Sequence, residues 1–168
     1  MSKIILGAAW IALTGGLVVM VKPVSKLAER EAAKAYTVAI GAELAEGQTD
    51  ADRKAAADWA YTRAFAREAI LAWGQFTGAP DEPITTEKVD RSVIVDEDDN
   101  VLQPTPASID RFMEIAEIHD AFDAAYVAPY FQKVIEKNVS SRLSTGSSAS
   151  AETTTAGPAS SSTASTAH

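Results

Sequence analysis

The stretch of sequence that decides the fold is residues 4–21, IILGAAWIALTGGLVVMV, a run of eighteen residues without a charge. Gly15 and Gly16 stand in its middle, and paired glycines supply the positive φ angles that a tight hairpin turn requires. The arm after them, residues 17–21, is rich in β-branched side chains that suit a pleated sheet. The sequence therefore favours a β-hairpin over residues 1–23, ended by Pro23, which has no N–H for strand pairing.

The same stretch has an alternative interpretation as a membrane span. Eighteen uncharged residues reach the lower limit of a transmembrane helix, and Lys3 and Lys22 flank them. The glycine pair would weaken an isolated helix by about 1 kcal/mol per glycine relative to alanine. A bitopic protein anchored by a helix at residues 4–21 therefore stays open as the alternative to the hairpin.

Residues 24–138 have the composition of a helical body. Ser25 is a candidate N-cap for a first helix that is predicted to reach Leu44 and to stop at Gly47. Thr49 and Asp52 resemble a capping box for a second helix, predicted to run to about Trp73. Apolar residues, most of them aromatic, stand at every fourth position of this helix and indicate a face packed in the core. These positions are Tyr61, Phe65, Ala69 and Trp73.

The second half of this body is predicted to contain a loop, a short β-segment and two more helices. Glycines and prolines place a loop from Gly74 onward, and residues 92–95 are the candidate strand before an acidic turn at 96–100. Thr105 as N-cap and Pro106 as first helical residue predict a third helix. A fourth is predicted from about His119 to Lys137, kinked or split by Pro129.

The C-terminal residues 139–168 consist mostly of Ser, Thr and Ala, and their only apolar side chains larger than alanine are Val139 and Leu143. Such a segment buries too little surface to offset the entropy of ordering its backbone. The sequence therefore predicts one folded domain over residues 1–138 and a disordered tail over 139–168. The fold class is α+β and mainly α.

Charge and composition exclude several functions. The chain has 23 acidic against 15 basic residues, a net charge of -8, and shows no Lys/Arg cluster of the kind that binds nucleic acid. The absence of cysteine excludes disulfides, thiolate catalysis and Cys-zinc sites. A nucleic-acid partner is therefore not expected.

No catalytic, cofactor or metal site can be assembled from the sequence. Asp96, Asp98 and Asn100 have the spacing of a calcium loop, but Val101 and Ala107 stand where that loop needs glycine and glutamate. His119 has no cysteine, serine motif or second ordered histidine to act with. The sequence therefore predicts a protein that is not an enzyme.

The order of short motifs is more specific than any one of them. A hairpin leads into Val21-Lys22-Pro23, a helix ends in residues 69–74, AILAWG, and an acidic turn precedes residues 100–106, NVLQPTP. A tyrosine-bearing helix then closes in residues 136–138, EKN, before the Ser/Thr/Ala tail. This arrangement, over about residues 10–140, resembles the tail assembly chaperones of siphophages and prophages. Gly74 and Gln75 depart from the Glu-Gly usual in that family, and an extra Pro-rich loop precedes the acidic turn.

The resemblance implies a chaperone in the host cytoplasm that binds the tape measure protein, and with it tail tube subunits, during tail assembly. It implies neither a membrane nor an enzymatic activity. A tape measure is a long helix with an apolar stripe that needs covering, which helix-in-groove binding can provide. Aromatic residues near helix ends are the predicted contact surface: Trp73, Phe76, Tyr126 and Tyr130. A structural virion connector and the bitopic membrane protein are the alternatives.

Overall fold

The computed structural model describes residues 7–144. The chain divides into two units, Met1–Val134 and Ile135–His168. In the described part of the first unit, an antiparallel sheet of order β1-β2-β3-β4 packs with a helical layer around one apolar core. Of the second unit, residues 135–144 belong to the last helix. The predicted α+β class, with an N-terminal hairpin and a helical body, is confirmed.

The N-terminal hairpin consists of β1, Ala9–Ala12, and β2, Leu17–Val21. Gly15 and Gly16 have φ angles of 61° and 77°, and the Leu17 N–H donates to the Thr14 carbonyl at 3.0 Å. Positive φ at both central residues is the geometry of a type I′ turn. Residues 9–21 thus form a hairpin instead of the alternative membrane helix. Across residues 7–144, no helix has the length and apolar character needed to span a bilayer.

The first helix, α1, is Lys26–Ile40 and is capped as predicted, since the Ser25 hydroxyl accepts from the Ala28 N–H at 3.1 Å. It ends earlier than the predicted Leu44. Gly41 takes the C-cap position and donates to the Thr37 carbonyl at 3.1 Å. Glycine loses more conformational entropy in a helix than any other residue, so Gly41 ends α1 before Gly47 is reached.

The second helix, α2, is Asp50–Ala69 and begins with the predicted capping box. The Thr49 N–H donates to the Asp52 carboxylate at 2.7 Å, and the Asp52 N–H donates to the Thr49 hydroxyl at 3.2 Å. These reciprocal bonds satisfy two backbone donors that have no partner inside the helix.

The prediction that the second helix extends to Trp73 is wrong. Ile70 has an extended backbone, and β3, Ile70–Phe76, follows α2 directly as an inner strand paired with β2 and β4. Trp73 pairs with Val19, and Ala72 with Met20. An inner strand is apolar on both faces, so its sequence cannot be told from a buried helix by periodicity, and pairing with the hairpin decides.

Gly74, predicted to open a loop, lies inside β3. A Cβ at this position would collide with the Asp90 carbonyl oxygen and with Val89 Cγ1. These two residues form the short edge strand β4, Val89–Asp90, after a single 3₁₀ turn at Thr86–Lys88. The close approach of β4 to β3 therefore requires a residue without a side chain.

The predicted strand at residues 92–95 is wrong in extent, since only Val95 pairs, in an isolated bridge with Val101. The acidic turn between them forms as predicted. The Asp96 N–H donates to the Asn100 carbonyl at 2.9 Å, and Asp99 has a φ of 61°. The Asp96 carboxylate accepts the N–H groups of Asp98 and Asn100, both at 2.9 Å. This ribbon is held by its turn and by few strand contacts, which is why it is short.

The third helix, α3, is Pro106–Met113, with Thr105 as its N-cap as predicted. The fourth helical stretch begins at α4, Ala116–Phe122, before the predicted His119. One turn of π-helix, Asp123–Val127, joins it to α5, Ala128–Ser144. Pro129 has no N–H for the Ala125 carbonyl, so the predicted interruption at Pro129 takes the form of this wider turn.

The last helix continues past Asn138 to Ser144, although the sequence predicts a tail from residue 139. Residues 139–144 contain neither Gly nor Pro, the two residues that most disfavour a helix. The remaining part of the predicted tail, residues 145–168, lies outside the described residues.

The core lies between the sheet and the helices. β2 and β3 contribute Val19, Val21 and Trp73, and α2 contributes Phe65. The largest side chains that α3, α4 and the π turn add are Ile109, Phe112, Met113, Phe122 and Tyr126. Val19 and Val21 of the apolar hairpin are thus buried in the protein's own core.

Candidate partner-binding groove

The four aromatic residues predicted for partner contact do not form one surface. Trp73 is 2% exposed, and its indole Nε1 donates to the Leu102 carbonyl at 2.8 Å. Its ring lies 5.0 Å from that of Phe112, centroid to centroid. Because Trp73 stands on an inner strand and not on a helix end, its side chain belongs to the core.

Tyr126 is also a core residue, 6% exposed, on the π turn. Its hydroxyl donates to the Lys22 carbonyl at 2.7 Å and so ties the π turn to the end of β2. Burial raises the pKa of Tyr126 to about 12, so the phenol stays protonated and keeps donating at neutral pH. Phe76 and Tyr130 are half-buried, and they lie at the end of β3 and in the first turn of α5.

A different set of rings lines an open groove between three helices. Tyr36 of α1 and Tyr61 of α2 meet edge to face, with their centroids 6.4 Å apart. Tyr61 in turn lies 5.5 Å from Phe131 of α5, and Phe131 is 37% exposed. Aromatic rings arranged in this way have large contact areas and few rotatable bonds, which favours their use in binding.

The groove has two adjoining lobes of about 400 and 630 Å³. Both lobes share the side chains of Asp58, Tyr61 and Phe131. The smaller lobe is completed by Ala33, Tyr36 and Thr37, and the larger lobe by Thr62, His119, Asp120, Asp123, Val127, Ala128 and Gln132. We call these two lobes together the aromatic groove.

The π turn determines what α5 presents to this groove. Asp123–Val127 carries Tyr126 and Val127 into the core, whereas Phe131, one turn further on, contacts Tyr61. Tyr130, next to it, packs towards Phe65 of the core at 6.2 Å. The neighbouring residues Tyr130 and Phe131 therefore face the core and the groove respectively.

The polar lining of the aromatic groove is acidic. Asp58, Asp120 and Asp123 line the larger lobe, and the lining of both lobes contains no Lys or Arg. Asp58 forms an ion pair with Lys54 at 2.6 Å, one turn earlier on α2. The Asp123 carboxylate accepts from the buried Thr62 hydroxyl at 2.8 Å. The lining thus combines aromatic rings with carboxylates.

His119 also lines the larger lobe, and it is 7% exposed. Its ring stacks on Trp59 with centroids 4.0 Å apart and an angle of 12° between the planes. Nδ1 lies 3.3 Å from the Asp120 carboxylate, and Nε2 is buried without a hydrogen-bond partner among residues 7–144. A buried polar atom without a partner is costly, so this nitrogen is an unsatisfied group on a residue that lines the larger lobe.

Tyr61 has an altered acidity that fits its position. Burial, with a further contribution from the negative charge of Glu29, raises its pKa to about 12. The phenol is therefore neutral at physiological pH, so Tyr61 adds no charge to the groove.

The described residues hold no arrangement for metal or calcium chemistry. In residues 7–144 no three His, Asp or Glu side chains are grouped so that they could bind an ion. The pKa of Asp96 is lowered by the backbone and side-chain hydrogen bonds from Asn100. The oxygens of this carboxylate are therefore already engaged in stabilising the 96–100 turn. What the groove offers chemically is binding through rings, carboxylates and one imidazole nitrogen.

Sequence reasoning placed Tyr61 in the core and did not single out Tyr36 or Phe131. Tyr36 is half-buried and lies 25 positions before Tyr61, and Phe131 lies 70 positions after it. No local spacing brings these three rings together. The sequence did hold one signal. Adjacent residues on a helix point in different directions, so Phe131 could not share the orientation of Tyr130.

Comparisons of this chain with protein-family models, with curated proteins and with solved structures find no match. The aromatic groove is therefore interpreted from its own geometry. Its size, ring floor and acidic lining suit an elongated partner with an apolar surface better than a small polar ligand.

Proposed function

We propose that the protein is a non-enzymatic tail assembly chaperone of a tailed bacteriophage or prophage. In this role it binds the tape measure protein, and tail tube subunits with it, in the host cytoplasm during tail assembly. The proposal joins the motif order of the sequence to a surface on which such a partner could dock.

The observation that carries the proposal is the aromatic groove between α1, α2 and α5. Phe131 is more than one-third exposed next to Tyr61, and apolar rings left in an open groove are commonly partner sites. A helix laid in such a groove buries its apolar stripe, which is what an unassembled tape measure helix needs in order to stay soluble.

Two features of the fold are consistent with the same role. The hairpin runs into Val21-Lys22-Pro23, and Thr105 caps a helix whose first residue is Pro106, at the positions where the family resemblance expects them. The net charge of -8 favours solubility for a protein whose task is to keep another chain in solution.

The proposal is tested by co-expression with the tape measure protein encoded by the same phage. We expect the tape measure protein to move from the insoluble to the soluble fraction and to co-purify with this chain. A tape measure protein that stays insoluble beside a soluble partner would count against the proposal. Detection of this chain in purified virions at a fixed copy number would support the structural connector instead.

A further inference from the structure

We infer that the aromatic groove selects a basic amphipathic helix, one whose apolar stripe is bordered by Lys and Arg side chains. This inference deepens the proposed function, on which it rests, by naming the chemistry of the partner segment. It follows from the ring floor, the charge of the lining and the unpartnered imidazole nitrogen.

The three aromatic rings of the groove indicate what apolar surface the partner presents. Tyr36, Tyr61 and Phe131 form a continuous row of rings with centroid separations of 6.4 and 5.5 Å. Side chains at i, i+3 or i+4, and i+7 of a partner helix lie one turn apart, at about 5.4 Å, so successive apolar residues can each meet a ring. A row of this spacing fits a helix better than an isolated loop.

The carboxylates of the lining indicate the charge of the partner. The larger lobe is lined by three carboxylates and by no Lys or Arg, and the Asp120 side chain is 80% exposed. Lys54 neutralises Asp58 in part, whereas Asp123 accepts from the Thr62 hydroxyl and Asp120 lies beside His119 Nδ1. Asp or Glu side chains of a partner would be repelled by this acidic lining, and Lys or Arg side chains would be attracted.

His119 adds a second observation that points to a ligand. Its side chain is more than nine-tenths buried, it lines the same lobe as the carboxylates, and Nε2 has no partner within the described residues. In the tautomer that carries its proton on Nδ1, beside Asp120, the buried Nε2 is a hydrogen-bond acceptor whose partner is missing from the described residues.

Two other occupants fit less well. The chain's own residues 145–168 contain no apolar side chain larger than alanine and no Lys or Arg, so they lack both the stripe and the charge. A second copy of the chain carries the same net charge of -8, which opposes self-association. The chemistry of the groove therefore favours a partner from a different, more basic protein.

The test uses the full chain and three fluorescent synthetic peptides of about twenty residues. One is an amphipathic Leu/Lys helix, the second its Leu/Glu counterpart, and the third a scrambled Leu/Lys peptide that lacks the stripe. Fluorescence anisotropy measures the affinity of each. We expect the Leu/Lys helix to bind at least about tenfold more tightly than either of the others.

Two matched pairs of variants locate the site. Phe131→Ala is expected to weaken binding of the Leu/Lys helix by about tenfold or more, because it removes a central ring, whereas Ile115→Ala removes an exposed apolar side chain outside the groove and leaves the affinity unchanged. Asp120→Asn is expected to weaken it about two- to fivefold, and less at high salt, whereas Glu117→Gln on the same helix has no effect.

Equal affinity for the basic and acidic peptides, or binding unaffected by Phe131→Ala, would overturn the inference. So would a concentration-dependent dimer that Phe131→Ala dissociates, because the occupant would then be a second copy. If the peptides fail to discriminate while the tape measure protein is still made soluble, only this inference falls. If they discriminate and the tape measure protein stays insoluble, the proposed function falls and the groove chemistry stands.

Discussion

Two sets of aromatic side chains in this protein have opposite surroundings. Trp73 and Tyr126 are nearly fully buried and give their polar hydrogens to the backbone carbonyls of Leu102 and Lys22. Tyr36, Tyr61 and Phe131 line the aromatic groove, in partial contact with solvent. The buried set joins the sheet to the helices, and the second set is only partly covered by the rest of the chain. Residue type alone does not distinguish a ring that stabilises a fold from one that binds a partner.

Among the substitutions considered, Trp73→Ala should lower the free energy of unfolding the most. This change empties the centre of the core and leaves the Leu102 carbonyl without its donor, so we expect a loss of about 3–5 kcal/mol in the free energy of unfolding. Urea denaturation followed by circular dichroism measures it. A loss below about 1 kcal/mol would mean that Trp73 is not a core residue and would remove the contrast.

Gly74→Ala tests whether the segment carrying Trp73 is a strand. The new Cβ would meet the backbone of Asp90, which cannot move without displacing β4, and we expect a loss of about 1–3 kcal/mol. Leu71→Ala is the control on the same strand, since Leu71 is 48% exposed and its truncation costs less. If α2 continued through Trp73, Gly74→Ala would stabilise the protein, because alanine is the better helix former.

Phe131→Ala is expected to cost about 1–2 kcal/mol of stability, less than a core aromatic, because the ring is only partly buried. The same variant should show the large loss of peptide affinity described above. The two variants therefore differ in what they mainly change. Trp73→Ala lowers the stability of the fold, and Phe131→Ala lowers the affinity for the peptide. A loss of stability as large as that of Trp73→Ala would place Phe131 in the core.

Tyr126→Phe keeps the ring and removes the hydroxyl that donates to Lys22. We expect a loss of about 1 kcal/mol, the usual contribution of one such hydrogen bond. Thermal unfolding at neutral pH measures it. An unchanged midpoint would show that water replaces the tyrosine as donor to this carbonyl, and Tyr126 would then count only as an apolar ring.

Alkaline titration provides a second reading of the same residue. The pKa of Tyr126 rises from its ordinary value of 10.0 to about 12 in the folded chain, so the folded state holds its proton longer than the unfolded state. Its contribution is complete below about pH 10 and is lost as the pH rises towards 12. Tyr126→Phe should make the fall in stability between pH 10 and 12 shallower, and a slope identical to that of the unaltered chain would contradict this.

Local chemistry made part of the fold predictable. The hairpin follows from Gly15 and Gly16, whose positive φ angles few other residues adopt, and three helix starts follow from hydroxyl caps at Ser25, Thr49 and Thr105. Each of these signals acts over three or four residues. Sequence reading succeeds where the deciding interaction is that short.

The strand β3 and the groove were not predictable in the same way. Ile70–Phe76 continues the apolar spacing of α2, and only its pairing with β2, some fifty residues earlier, makes it a strand. The groove depends on rings from α1, α2 and α5 that meet only after the helices pack. The sequence placed Trp73 at a helix end for the first reason, whereas the structure buries it on β3, and the omission of Phe131 followed from the second.

The proposed partner docks in the aromatic groove and not on the sheet. Hydrogen–deuterium exchange of the chain, alone and with the tape measure protein, tests it directly. We expect slower amide exchange on binding in residues 58–62 of α2 and 128–132 of α5, with little change in β1 to β3. Protection confined to the sheet, with the groove helices exchanging as before, would contradict it.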